Sequence, residues 1–311
     1  FKGSPLGHNI LGTAEQVRAF KTEDALRFTQ KLYRPDNAIF FAYGDIDFKK
    51  LVKLIGRALA DDGSGRLAEK GCHADFADDA DFSGETGFSG ARDSEITQMS
   101  QAPQMTQISR GAMDSQGAID SMGSMDSPAG QTIVMQKNTH QAHVMIGTRA
   151  YDVNDDRRMP LYLLNNMLGG PGMNAKLNLA LREHNGLVYT VESTMVAYGD
   201  TGTWSIYFGC DEHDVKRCLR LVRKELDKFM QKPLSDAQLK AAKKQIKGQI
   251  GVACDNRENF ALDFGKSFLH YGWEKNVDRL YEQVDEITAA QIQAVAQELF
   301  DKDRLTTLIF K

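Results

Sequence analysis

From residue 131 onward, apolar positions recur at alternating strand and helix spacing, in an order that implies one continuous fold. Short apolar runs at 132–135 and 143–147 predict strands. Helices follow at 156–168 and 173–183, then a hairpin over 187–196 and 203–208. Val215, Cys218, Val222, Leu226 and Phe229 share one stripe and predict an amphipathic helix over 212–230. Pro233-Leu234-Ser235 precedes a long helix, with Ser235 and Gln238 spaced as a capping box. That helix has Gly248 and Gly251 as candidate points of bending. Thr288 and Gln291 form a second box, heading a helix to about Phe300, and 305–310 reads as the final strand.

Before residue 62 the same alphabet appears in shorter form. Thr22 is placed to cap an amphipathic helix ending near Tyr33. The run 38–43 is nearly all apolar and predicts a buried strand, and 48–60 returns to helix. Thr22…Leu32-Tyr33-Arg34-Pro35-Asp36 and Thr288…Leu299-Phe300-Asp301-Lys302-Asp303 are both capped helix, polar turn and apolar strand. This internal repeat implies the end of one unit followed by all of a second.

Residues 62–130 differ in kind. They contain no Val, Trp or Tyr and a single Leu. Sixfold phrases such as Met113-Asp114-Ser115 and Ile119-Asp120-Ser121 are too few to build a solenoid. So little apolar surface cannot offset the entropy of ordering a chain, which predicts a low-complexity, disordered linker. The expected organisation is therefore 1–61, 62–130 and 131–311.

Composition narrows the class. The chain has 311 residues, a net charge of −4 and 26% charged residues. No basic block suggests a nucleic-acid surface, and no apolar run is long enough to span a bilayer. The four cysteines have no C-x-x-C spacing, and Cys218 on an apolar stripe reads as a reduced, packed thiol. This usage leans towards a reducing, cytoplasmic compartment. Beginning at Phe1 without an initiator Met, the chain reads as a fragment or a processed product.

Metal chemistry is poorly supplied. The seven histidines are scattered, with neither H-E-x-x-H nor H-x-x-E-H. His140 and His143 stand an odd number of residues apart, so on a strand they face opposite ways. Gly169-Gly170-Pro171-Gly172 lacks the G-K-[ST] ending of a phosphate loop and predicts a tight helix–helix turn, with positive φ and close backbone approach. Asn174 would cap the next helix or sit near it.

The run from Leu168 to Ser193 carries the most information. It places Arg182 near the end of a short helix, a turn at Gly186 and Tyr189 at the head of a strand. Arg182 presents a fork of donors suited to a carboxylate or carbonyl, and Tyr189 adds a hydroxyl. Each also has an ordinary structural reading. Arg182 complements a helix C-terminus and can pair with Glu183, and Tyr189 can be a tethered core aromatic.

This run resembles the pitrilysin/insulinase family of zinc peptidases, whose substrate-binding half carries an Arg and a Tyr at this separation. Phe1–Gly12, Asn37–Asp47, Gln141–Gly147, Pro233–Leu239 and Ile287–Leu299 are similar to family segments in the same order. The resemblance implies a pitrilysin-like α+β fold, mainly antiparallel sheet with helices on one face. It assigns 1–61 to the tail of a zinc-binding half and 131–311 to the non-catalytic half. It implies substrate binding by Arg182 and Tyr189 and a parent enzyme that hydrolyses short or unfolded polypeptides. No catalytic or metal residue lies in this chain on that reading, and zinc belongs to an N-terminal half. The implied partners are a peptide substrate and that half or a partner subunit, and a homodimer is compatible with the reading. The rival expectations are a non-enzymatic structural homologue and a peptide-binding module with an exposed strand edge.

Overall fold

The computed structural model describes residues 1, 5–61, 130–137, 139–272 and 276–311. All of the expected linker except Gly130 lies outside the described residues. The chain divides into two compact units, one from the described parts of Phe1–Ala102 and Ala253–Lys275, the other from those of Pro103–Val252 and Asn276–Lys311.

The second unit is built on a five-stranded sheet. Its strands are β1 (Thr132–Met135), β2 (Ala142–Ala150), β3 (Val188–Ala197), β4 (Gly202–Cys210) and β5 (Thr306–Phe310), in the spatial order β1-β5-β2-β4-β3. All pairs are antiparallel except β1 with β5. The α+β class expected from the sequence is the class observed. Alternation decides which face is covered. On β2, Ala142, Val144 and Ile146 are buried, and on β4 Trp204, Ile206, Phe208 and Cys210 are buried, while the residues between them are half-buried. A period of two sends each set to one side of the pleat.

Helix α4 (Arg158–Gly169) packs on β3. Leu161, Leu163, Leu164 and Leu168 of this helix are wholly buried. α5 (Val215–Gln231) buries the stripe read from the sequence, α8 (Val277–Glu286) touches α4, and α9 (Ala289–Leu299) packs against both α4 and α5. α5 and α9 cap each other. Gln293 and Gln297 of α9 donate to the Met230 carbonyl at 3.1 and 2.9 Å, and Arg223 of α5 donates to the Phe300 carbonyl at 2.6 Å. These bonds satisfy carbonyls that a helix end leaves without an intrahelical partner. Both expected capping boxes form, at Ser235 heading α6 (Asp236–Asp255) and at Thr288 heading α9.

An ionic knot ties the loops at one end of this sheet. Tyr151, just past β2, donates to Glu298 of α9 at 2.8 Å. Arg157 stacks over the Tyr151 ring at 4.4 Å, grips Asp155 and reaches Glu298 at 2.9 Å. Burial alone would raise the Glu298 carboxyl. The Tyr151 hydrogen bond and the charges of Arg157 and Arg304 outweigh it and hold the group below its usual value. The hydrogen bonds from Arg157 hold Asp155 low as well. A carboxylate depressed in the folded state stabilises above its unfolded pKa, about 4, and loses that contribution as pH falls through the folded value. The urea midpoint is therefore expected to drop on acidification below about pH 4, and Glu298→Gln should flatten that drop while lowering the midpoint at neutral pH. An unchanged acid slope in the variant would remove the knot from the stability account.

The first unit contains α1 (Ala14–Ala19), α2 (Thr22–Leu32), α3 (Phe48–Asp61) and α7 (Arg257–Tyr271). Lys21, not Thr22, is the N-cap of α2. Thr22 is its first helical residue, and Asp24 reaches back to the Lys21 N–H at 3.1 Å. The long helix expected after Ser235 forms and stops at Asp255, because Asn256 caps a new helix by accepting from the Asn259 N–H. Residues 38–43 form no strand. An extended segment becomes a strand only when neighbours take up its N–H and C=O groups, and the run instead lies by α7, with Phe41 on Phe264 at 5.0 Å and Tyr43 on Phe260 at 5.7 Å. Residues 257–271, read from the sequence as part of 131–311, belong to this unit.

Candidate functional site

Arg182 and Tyr189 flank one corner of the second unit. The segment expected as an ordinary helix over 173–183 is wound as a π-helix over Asn178–Glu183. Its i→i−5 signature is the His184 N–H to Leu179 carbonyl bond at 3.0 Å. Leu177 and Leu181 stay fully buried through it. Such wide turns are rare and occur often at functional sites. Asn185 caps the end by donating to the Ala180 carbonyl at 2.8 Å, and is itself held by Arg217 at 2.9 Å. Gly186 then takes a left-handed φ of 61°, which reverses the chain as the sequence implied. The Leu187 N–H closes the reversal on the Leu181 carbonyl at 2.9 Å.

The chain emerges into β3, the edge strand, through a bulge. Val188 pairs with Cys210 and Val191 with Phe208, so three steps on β3 match two on β4. The extra residue lets Val188 and Val191 lie on the sheet side of buried Cys210 and Phe208 while Tyr189 and Thr190 between them are both exposed. Bulges re-aim side chains in this way. Tyr189 is 82% exposed, which removes the reading of a tethered core aromatic. Arg182 is also exposed, and its Nε lies 3.8 Å from Glu183 Oε1. An exposed pair of that kind contributes little to stability. The π-helix that carries Arg182 packs directly on β3, the strand that carries Tyr189.

The glycine turn explains how that junction is held. A Cβ on Gly169 would meet the Ser193 backbone nitrogen at 2.5 Å, and one on Gly170 would meet the Asn166 carbonyl oxygen at 2.6 Å. Close approach, as expected, is the reason for these glycines. The expected positive φ is not found at 169, 170 or 172. Asn174 does not cap the next helix but sits near it, two residues before its start, and exchanges hydrogen bonds with Gln245.

Sequence reasoning missed the amides that lock this arrangement. Asn165 of α4 donates to the Ser193 carbonyl at 2.9 Å and accepts from its hydroxyl at 2.6 Å. Asn166, which is buried where Asn165 is half-buried, donates to Gln249 of α6 at 2.6 Å. The available signal was a pair of asparagines inside the apolar run Leu161–Leu168, since polar groups buried on a helix are there to be bonded.

The remaining candidates for chemistry are ordinary. His143 lies in β2, hydrogen-bonded to the Tyr207 hydroxyl at 2.8 Å and stacked on its ring. His140 lies exposed outside the strand. Among the described residues, Asp211, His213 and Asp214 bring their ligand atoms within 4.8 Å of one another, on a turn where two of the three are exposed. Among the described residues no helix is long and apolar enough to cross a membrane.

Comparison with known proteins bears on the family and the fold. Residues 123–246 match the family model described as the Peptidase M16 inactive domain. An uncharacterized zinc protease of Streptomyces coelicolor is 25% identical over 302 residues, covering 97% of this chain and 56% of that protein. The crystal structure of a peptidase M16 inactive domain from Pseudomonas fluorescens superposes with a TM-score of 0.53 at 20% identity, over 59% of this chain and 44% of that one. A chain of complex III from Candida albicans superposes with a TM-score of 0.67 at 17% identity, over all of this chain and 63% of that one. The last two show the shared fold. This chain spans about half the length of the Streptomyces relative.

Proposed function

We infer, for a chain that carries the inactive domain of the M16 peptidases, that it is the substrate-binding, non-catalytic portion of a zinc metallopeptidase acting on short or unfolded polypeptides. One observation carries the reading. Arg182 and Tyr189 are delivered to solvent by a π-turn and a strand bulge, two departures from regular structure. In this role Arg182 grips a backbone carbonyl or carboxylate of the peptide, and the Tyr189 hydroxyl donates to the reacting carbonyl as negative charge develops on it. Both sit on one concave surface in the complete enzyme. Zinc and the water it activates are supplied by the catalytic half, not by residues of this chain.

Support for a partner comes from the first unit. α1, α2 and α7 have no buried residue, and Leu26, Phe28, Phe48, Leu54 and Phe268 are exposed. Apolar faces of this extent belong against another surface. The zinc-bearing half, or a separate subunit, is the partner that fits them.

The test is reconstitution. Alone, the chain is expected to hold no stoichiometric zinc by elemental analysis and to cleave no unfolded peptide. Joined to the zinc-bearing half, it should support turnover that a chelator abolishes. Chelator-sensitive cleavage by the chain alone would overturn the reading. A reconstituted complex that binds zinc but is indifferent to Arg182 and Tyr189 would favour the structural-homologue alternative.

A further inference from the structure

We propose that Glu192 is a specificity-determining residue, the seat of a lysine or arginine side chain of the peptide that Arg182 and Tyr189 hold. The proposal rests on the substrate-binding reading of that pair and adds a substrate class to it, polypeptides that carry a cation near the cleaved bond. Alternation along the strands places the seat. Trp204, on the buried face of the sheet, packs on Phe300 at the end of α9. The residues between the buried ones form the opposite face. One row across it runs Ile133, Leu308, Met145, Tyr207 and Glu192, each in register with the next. Residues paired across strands share a face, and all five of these are half-buried.

Glu192 brings a carboxylate to a row otherwise made of aliphatic side chains and a phenol. Among the described residues no lysine, arginine or histidine pairs with that carboxylate. Among the described residues of this unit, the other glutamates that are not exposed are both paired, Glu225 with Lys228 at 2.6 Å and Glu298 with Arg157 at 2.9 Å. A carboxylate partly withdrawn from water, with no cation to replace the lost hydration, favours a cation brought by a ligand. Tyr207 adds a second contact. The His143 Nδ1 lies 2.8 Å from its hydroxyl and the His143 ring stacks on it, which fixes the phenol. Burial, and after it the Glu192 charge, push the Tyr207 hydroxyl up, so it stays neutral. Its oxygen can then accept from an ammonium or guanidinium, and its ring attracts the same charge.

The seat is within reach of the corner. Val188, Val191 and Ser193 of β3 pair with Cys210, Phe208 and Ile206 of the buried face, and Glu192 points to the other side. It follows Tyr189 by three residues, about 10 Å along a strand. An extended peptide covers that distance in about three residues of its own. A cation about three residues from the carbonyl held at Tyr189 is therefore the one that meets Glu192.

The experiment uses the complete peptidase and internally quenched peptides in which a single lysine is walked along a neutral sequence. Each is matched by a peptide with norleucine in the same place. The readout is the ratio of kcat/KM within a pair. At one position lysine should be preferred by about 10- to 100-fold, the scale of one charge-assisted hydrogen bond. Glu192→Gln should abolish the preference, and Glu192→Lys should favour glutamate at that position. A loss of fold would lower both rates together and leave the ratio unmoved. The proposal is overturned if no position prefers lysine, or if the preference survives in Glu192→Gln. A Glu192→Gln chain that no longer associates with the zinc-bearing half would make the carboxylate a subunit contact and overturn it equally. Failure of the underlying reading looks different. Arg182→Ala and Tyr189→Phe would then leave both rates intact, while the ratio still depended on Glu192.

Discussion

Arg182→Ala, introduced into the complete peptidase, is expected to lower kcat/KM by roughly 10²-fold, the scale of losing one donor to a developing oxyanion. Tyr189→Phe should do the same through the loss of a single hydroxyl. The Tyr189→Phe loss should fall mainly on kcat, because an interaction made only in the transition state leaves KM little changed, whereas losing the Arg182 grip on the bound peptide should also raise KM. Arg182→Lys should recover little, since a lysine keeps the charge but not the planar fork. Folding should be almost indifferent. Tyr189 is 82% exposed, and among the described residues Arg182 has only its Glu183 neighbour as an ion pair, so the stability read from urea denaturation should change by no more than about 0.5 kcal/mol. An unchanged kcat/KM in both variants would make the pair an ornament of the fold and favour a structural homologue.

Trp204→Ala should act in the opposite way, costing about 3–5 kcal/mol of stability. Trp204 is 1% exposed in the middle of β4 and packs on Phe300 with ring centroids 4.6 Å apart. Its removal opens a cavity between the sheet and α9 that the surrounding leucines cannot close. Trp204→Phe should cost much less than half as much. Among the described residues the buried indole Nε1 has no hydrogen-bond partner, and the ring that replaces it carries no such donor. Urea denaturation of the three proteins would measure both effects. A loss below about 1 kcal/mol for the alanine variant would mean that this face is not the core.

Much of the second unit was legible because its pattern is local. The stripe Val215, Cys218, Val222, Leu226 and Phe229 is the buried face of α5, and the hairpin of β3 and β4 follows from alternation alone. Arg182 and Tyr189 could be singled out as residues, but their presentation could not. A π-turn and a bulge arise from how Leu177, Leu181 and Val188 pack, and no one-dimensional period encodes them. The strand expected at 38–43 failed for the complementary reason. Its apolar run, with Phe40 and Tyr43 exposed, records a need for neighbours that the sequence states but cannot supply. The Asn165–Ser193 and Asn166–Gln249 bonds join residues far apart in the chain, and partners of that kind are invisible until the fold is known.

The place of β5 in the sheet has a kinetic consequence. It lies between β1 and β2, with Thr307 beside Thr132, although it is the last element of the chain. The β3–β4 hairpin can zip as soon as it leaves the ribosome, because its contacts span few residues. β1 has no such option. It must wait, unpaired, through the synthesis of every helix of the unit until the final residues arrive to bridge it to β2. Completion of this sheet is thus a late, long-range event, and losing only the last strand would strand β1 while leaving the hairpin and α4 able to pack.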